Sequence, residues 1–437
     1  MNEKLAAMAA TGSLVATTAA YGAGFALYQG SAAGNALGGG LVGKAYDASA
    51  NYYNPATLAD LTNTTVTVGF ITEHPTTDVS VDHKHGRKMD PGGFVIPHFH
   101  VAQPMPYGFT FGLGFGAEYG LGTHYHQSWD LASDTRDTTI EGFVLNPNLA
   151  YSITDDWSVS AGFRVLYFTF DQHSMPDAVS ANGARVGTMR NHIHADNGFA
   201  DWGWQLSTRY KILDNLSAGL MYKSYIDTKV RGTSNTRVRY RDYSSIDRLK
   251  GTPYYSPYKA AIDKGLDDGA RSHTGSGGAD LRLPQSLTAG LNWDVTDTFH
   301  VGASVTWTQW SCIQEIDFDL PGGHQHVPLK WDDTIRAGFG LAWDFHDNFT
   351  AMGSYVYDQD PCSGYWNCTM LPPGDRHIMT FGLGWHWENW EVVASYGIVF
   401  MCTQSTPITN RATGETHTFD THGGWSHSAG MSVTYRF

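Results

Sequence analysis

The sequence predicts an all-β fold, a transmembrane antiparallel β-barrel of about fourteen strands with an N-terminal hatch, or plug, inside its lumen. Three observations predict it. Apolar residues alternate with small or polar ones over runs of ten or more positions. Short Asp/Asn turns separate many of these runs. Beyond the N-terminus, no apolar stretch is long enough for a membrane helix. Mean hydropathy is -0.30, too low for several helical spans of about 20 apolar residues each. A barrel escapes hydropathy because each strand turns alternate residues toward lipid and toward the lumen. Aromatics at 13%, charged residues at only 16% and 49 glycines fit that alternation.

The first 22 residues read as a signal peptide. Lys4 supplies a weak basic start, residues 5–19 are apolar and small, and Ala20-Tyr21-Gly22 carries small residues where a signal peptidase cleaves. The expected mature chain begins at Ala23, with a hatch over residues 23–62 and the barrel over 63–437.

The C-terminus shows the strand pattern most cleanly. Ala429, Met431, Val433, Tyr435 and Phe437 share one face, and Gly430, Ser432, Thr434 and Arg436 share the other. Phe109, Phe111, Leu113, Phe115, Ala117, Tyr119 and Leu121 alternate with Thr110, Gly112, Gly114, Gly116, Glu118 and Gly120 in the same way. The strands fall near 64–72, 94–102, 107–121, 138–152, 156–170, 200–212, 215–230, 280–294, 299–310, 333–345, 348–358, 376–387, 390–401 and 427–437. Turns such as Thr154-Asp155-Asp156-Trp157 and Trp387-Glu388-Asn389-Trp390 join several of them. Long polar segments join the others. That asymmetry puts the short turns in the periplasm and the long loops outside. A soluble sandwich shows shorter and fewer alternations.

Residues 23–62 are Gly-rich, weakly charged and not strand-like. Disordered tails carry more charge, so this segment is expected to pack in the lumen. There the inward positions of the strands are unusually small, with glycine at 112, 114, 116, 162, 203, 219, 290, 302, 338, 340, 382 and 384. The plainer account of those glycines is barrel curvature.

A net charge of -14 argues against nucleic acid. No Walker A, HExxH or dinucleotide motif occurs in a supporting context. No enzyme activity and no cofactor is expected. Arg164, Arg209, Lys223, Arg336 and Arg376 fall on lumen faces and are candidate ligand contacts, since Arg binds a carboxylate bidentately. The ordinary reading of each is structural pairing with lumen acids such as Glu118 and Asp344. Five His-x-His pairs stand at 83/85, 98/100, 124/126, 192/194 and 324/326. Such pairs share a strand face and suit transition metals, but most fall in loops or at strand ends, and no metal site is assigned. Cys362 and Cys368 share one outer loop and are candidates for a disulfide. Cys312 and Cys402 lie near the tops of different strands.

Asp47-Ala48-Ser49-Ala50-Asn51-Tyr52-Tyr53-Asn54-Pro55-Ala56 resembles the hatch motif of the FadL-type (OMPP1/FadL/TodX) outer-membrane transporters of long-chain fatty acids and other hydrophobic compounds. Further landmarks follow in order. They are Ile96-Pro97-His98 through Tyr119-Gly120-Leu121, Leu283-Pro284-Gln285-Ser286, Trp307-Thr308-Gln309-Trp310, Trp331-Asp332-Asp333-Thr334 and Pro372-Pro373-Gly374-Asp375-Arg376. The resemblance implies a fourteen-stranded, hatch-plugged barrel and passive uptake of an apolar ligand. The ligand would leave sideways into the membrane at a kinked third strand, here containing Gly112, Gly114, Gly116, Glu118 and Gly120. It implies hatch roles for Asp47, Asn54, Pro55 and Ala56, and a place for Ala23, Gly24 and Phe25 at the ligand pocket. The partners expected are a hydrophobic small molecule, outer-membrane lipid and lipopolysaccharide, and barrel-assembly machinery, for a monomer. Uptake of aromatic hydrocarbons or alkanes is the alternative cargo. A general porin, an outer-membrane hydrolase and a surface receptor or adhesin are rival roles.

Overall fold

A computed structural model describes residues 24–84, 86–90, 92–126, 129, 131–132, 135–180, 183–362, 369–409 and 415–437. Fourteen strands close into one antiparallel barrel. They are Thr65–Val81, Phe94–Pro104, Phe109–His124, Asp137–Ser152, Trp157–Ser174, Asp201–Leu213, Leu216–Lys223, Ser286–Thr296, Phe299–Thr308, Thr334–His346, Phe349–Asp358, Arg376–Trp387, Trp390–Met401 and Thr416–Arg436. Each pairs with its neighbour in this list. The last closes on the first through a register that runs from Thr65↔Arg436 to Val81↔Phe419. Closure removes the free sheet edges that a hydrocarbon environment does not tolerate, except where the second and third strands part beyond His98↔Gly116. Phe163, Trp202, Phe339, Trp343 and Phe381 are exposed on the outer face. Their surroundings there are lipid rather than water, so period-two alternation is the stable solution.

Two expected strands are each split. The stretch near 215–230 ends as a wall strand at Lys223, and the chain resumes at Ile226–Arg241. The stretch near 280–294 divides into Gly275–Leu283 and Ser286–Thr296 across Pro284-Gln285. Pro284 lacks the N–H that a continuous ladder needs. The outer pieces form a second layer that rises from the top of the fifth strand. Its order is Arg185–Asp196, Ile226–Arg241, Gly275–Leu283, Glu315–Leu320 and Gly323–Pro328. Asn197 holds the fork where this layer leaves the wall. Its Nδ2 donates to the Leu166 carbonyl at 3.0 Å, and its Oδ1 accepts from the Phe168 N–H at 2.9 Å. The long polar segments are therefore partly sheet, and they also hold the helix Tyr255–Ser272.

A third departure concerns the third strand. Its register with the fourth strand shifts between Ala117 and Tyr119, so Glu118 is a bulge residue. A one-residue bulge moves every later side chain to the other face. Tyr119 and Leu121, which strict alternation turns outward with Phe115, are buried in the interior instead.

Residues 24–62 fill the lumen with short helices at Ala32–Ala36 and Ala50–Tyr53 and a 3-10 turn at Pro55–Asp60. Ser31 caps the first helix, accepting from the Gly34 N–H at 3.0 Å. The inward glycines let hatch backbone touch the wall. A Cβ at Gly219, Gly290, Gly302, Gly338 or Gly340 would meet hatch atoms of residues 37–42 at 2.7 Å or less. Close approach thus accounts for these five. Gly116, Gly162 and Gly203 face other wall or loop residues instead.

Candidate functional site

The second and third strands pair only from His98↔Gly116 to Pro104↔Thr110. Beyond that point the second strand continues to pair with the first, and the third with the fourth. The bulge at Glu118 thus coincides with a gap in wall hydrogen bonding. The N-terminal segment occupies it. The Leu27 N–H donates to the Glu118 carbonyl at 2.9 Å, and the Gly120 N–H donates to the Phe25 carbonyl at 2.8 Å. Leu27 packs with Ile71, Ile96 and Ala117.

Phe25 projects from this segment into an aromatic cage. Ring centroids lie 4.8 Å away at Trp310, 5.9 Å at Tyr119 and Trp331, and 6.4 Å at Phe168. Gly24 is required beside it, because a Cβ there would strike the Trp310 ring at 2.5 Å. Above Phe25 is an apolar chamber whose lining includes Leu121, Ile140, Phe168, Phe170, Phe318 and Met370 and, among the described residues, no charged, amide or hydroxyl side chain. Its open volume is only 30 Å³, enough for about two or three waters. Burying Phe25 stabilises this closed packing by about 1.5–3 kcal/mol. Anything larger than water enters only if Phe25 or its neighbours move.

Below the segment lies a polar pocket of 90 Å³, lined by Tyr28, Tyr52, Glu118, Arg164, Lys223, Arg336 and Asp358 among others. Glu118 accepts from Arg164 Nε at 3.0 Å and from Lys223 Nζ at 3.0 Å. Arg164 also donates to the Tyr119 hydroxyl at 3.2 Å, which ties this ion cluster to the apolar cage. Arg336 lies over the Tyr28 ring, 4.9 Å from its centroid. Its buried Nη1 has no hydrogen-bond acceptor among the described residues. The pocket thus carries three cations against two carboxylates. A third cavity, of 590 Å³, opens at the barrel end that carries the short turns, between hatch residues 37–46 and the strands that carry Asn292, His300, Gly340 and His386.

The structure therefore brings together Gly24, Phe25, Glu118, Arg164, Lys223 and Arg336. Ala23 lies outside the described residues, as does Cys368. Arg209 is elsewhere, in an ion pair with hatch residue Asp60 at 2.8 Å. Arg376 lies beyond Asp358 in a row whose register is Arg336↔Asp358↔Arg376. Asn54 sits against the sixth strand. Its Nδ2 donates to the Val42 and Thr208 carbonyls at 2.6 and 3.1 Å, and its Oδ1 accepts from the Ala56 N–H at 3.0 Å. Pro55 opens the 3-10 turn that this cap initiates. Asp47 is buried, with Oδ1 accepting from the Ser49 N–H at 2.7 Å. Gly112 and Gly114 face Asn51 of the hatch, and Gly120 pairs with Phe25. His98 and His100 are not loop histidines. Both are buried in the lumen, where their Nε2 atoms contact Ser432 Oγ at 2.8 Å and the Gly30 carbonyl at 2.9 Å.

The chamber residues Ile316, Phe318, Leu329, Trp331, Met370 and Leu371 escape the sequence reading, which treats 311–332 and 359–375 as polar segments between strands. One signal was present. Val165-Leu166-Tyr167-Phe168-Thr169-Phe170 is apolar on both faces, which a strand between lipid and a polar lumen would not be. Ile316 and Phe318 alternate with Glu315, Asp317 and Asp319, and their apolar face joins the same buried cluster.

A closed barrel, a polar-anchored hatch and an apolar chamber behind a wall gap define a hatch-plugged outer-membrane channel. The sequence profile of the family described as outer membrane protein transport protein (OMPP1/FadL/TodX) matches residues 13–437. The chain belongs to this family. It is 24% identical over 428 residues to the long-chain fatty acid transport protein of Escherichia coli K12, covering 90% of each chain. A Pseudomonas aeruginosa FadL homologue superimposes with a TM-score of 0.81 at 19% identity, over 95% of this chain and all of the other. The P. putida toluene transporter TodX gives 0.67 at 17% identity, over 95% and 98%. These likenesses fix the fold. The cargo is a separate matter.

Proposed function

We propose that this protein carries long-chain fatty acids passively across the outer membrane, with the acyl chain in the apolar chamber and the carboxylate beside Arg336. The observation that carries this reading is the buried Nη1 of Arg336, which has no acceptor among the described residues, in a pocket lined by three cations and two carboxylates. Phe25 lines the apolar chamber, and the residues that follow it, Ala26–Tyr28, line that pocket. Apolar surface and one oriented cation are what an amphipathic acid requires. Withdrawal of Phe25–Leu27 from the third strand would join chamber and pocket and expose the wall gap. The gap, bordered by Gly116, Glu118 and Gly120, would then release ligand sideways into lipid, so an insoluble molecule never crosses water.

Uptake of an uncharged aromatic hydrocarbon is the second reading, and the lack of charged, amide or hydroxyl side chains among the described residues of the chamber lining favours it. Arg336 discriminates between the two. Binding of a long-chain fatty acid and of toluene is measured on purified protein in mild detergent, before and after Arg336→Met. A weakening of fatty-acid binding by about tenfold or more, as expected for a lost charged hydrogen bond, with toluene unaffected, supports the first reading. Tight toluene binding, with fatty-acid affinity unchanged by the substitution, overturns it.

A further inference from the structure

The outer sheet carries an imidazole cluster that the transport path does not use. Asp171 and His173 end the fifth strand, and His192 and His194 lie on the adjoining strand Arg185–Asp196. Residues i and i+2 share a strand face. The register pairs Asp171 with His194 and His173 with His192, so the four form one two-by-two block. We propose that this block binds one divalent transition-metal ion of the zinc class, with Asp171, His173 and His192 as ligands and His194 sharing the carboxylate.

Donor types and spacing support it. Two imidazoles and a carboxylate suit zinc and its neighbours better than magnesium or calcium, which take oxygen. One donor atom from each of Asp171, His173 and His192 lies within 4.8 Å of the other two. Asp171 oxygens stand 2.9 Å from His192 Nε2, 3.1 Å from His194 Nδ1 and 3.6 Å from His173 Nδ1. Ligands bound tetrahedrally at about 2.0–2.2 Å are roughly 3.3–3.6 Å apart, so only small movements close the set. The His173 and His192 rings are stacked at 4.1 Å with 7° between their planes. Loading must tilt them so that both point at one ion.

The surroundings leave room and tune the charge. A cleft of 230 Å³ borders the two rings, with Arg190, Asn235 and Arg237 on its other sides, giving space for water as a further ligand. Asp137 lies 3.8 Å from His173 Nδ1 and adds negative charge. Arg190 and Arg237 oppose the cation. An ion here would tie the outer sheet to the barrel wall, because its ligands come from both.

Zn(II) titration of the untagged full-length protein in chelator-free detergent tests the site. One equivalent is expected to bind, and the double variant H173N/H192N should lose at least about tenfold in affinity. A second acidic and imidazole group, Glu315, Asp317 and His326, lies exposed on an outer hairpin, so H326N should leave the affinity unchanged. Arg190→Ala removes a neighbouring cation at an exposed position without touching a ligand, and should tighten binding severalfold. Unchanged affinity in H173N/H192N, loss of the same equivalent in H326N, or no tightening in Arg190→Ala would each overturn the assignment.

Discussion

Replacing Gly219 by alanine tests whether the lumen glycines exist to admit the hatch. Gly219 is on the inner face of the seventh strand. A Cβ there would stand 1.9 Å from the Val42 carbonyl oxygen and 2.6 Å from Asn54 Nδ2. Ordinary contact begins at 3.4 Å, so the overlap with the oxygen is 3.4 minus 1.9, or about 1.5 Å. Neither obstacle swings aside freely, because Asn54 Nδ2 donates to that same oxygen at 2.6 Å. Position 219 is paired on both sides, to Arg209 and Gly290, so the hatch is the part that yields. Overpacking costs about 1–3 kcal/mol, and the strained Asn54 bond adds about 0.5–1.5 kcal/mol. The sum, about 1.5–4.5 kcal/mol, shifts the docked-to-undocked ratio of the hatch by roughly tenfold to two-thousandfold. Tryptic cleavage after Lys44 in the hatch, in detergent-solubilised protein, reports that ratio when opening is fast. The control is Gly353→Ala, whose Cβ would meet its nearest atoms at 3.8 Å. Cleavage should accelerate in Gly219→Ala alone, with the barrel still migrating as a folded species on unheated gels. Equal cleavage in the two variants would refute the close-approach account.

Two other outcomes follow from the same geometry. Asn54→Ala removes a cap and leaves two carbonyls short of a donor, at a cost of about 1–3 kcal/mol. Ligand uptake should fall while barrel assembly, read from heat-modifiable gel mobility, is retained, and uptake at the parental rate would remove the hatch role of this motif. Burial pushes the Cys312 thiol up from 9.0 to about 12. That is roughly a thousandfold less thiolate at neutral pH than an ordinary thiol has. Cys312 should therefore resist iodoacetamide until the protein is denatured, as mass spectrometry of the labelled peptide would show. Rapid labelling of the folded protein would contradict it.

Much of the barrel was legible because a wall between lipid and a lumen imposes a period of two on every strand, and that period is local. It marked all fourteen strands in order, and the short turns set their pairing. It did not show where a strand leaves the wall. Residues 226–230 and 280–283 alternate as the wall does, because a strand in the outer layer obeys the same geometry with different partners. Lumen glycines at 219, 290, 302, 338 and 340 suggested room for a plug, but which backbone atoms fill that room is a matter of contacts between residues hundreds of positions apart.

Local pattern was enough to set the fold class and to mark an Asn-Pro-Ala segment with few charges as packing in the lumen. Tertiary structure decided the site. The bulge at Glu118 cannot be read from alternation, since an extra residue is defined only against the strand opposite. Yet that bulge turns Tyr119 and Leu121 inward and coincides with the end of pairing to the second strand. The chamber likewise depends on Phe25, Phe168 and the pair Trp310 and Trp331 meeting from three distant parts of the chain. Such a meeting leaves no local period in the chain, so only the packed structure reveals it.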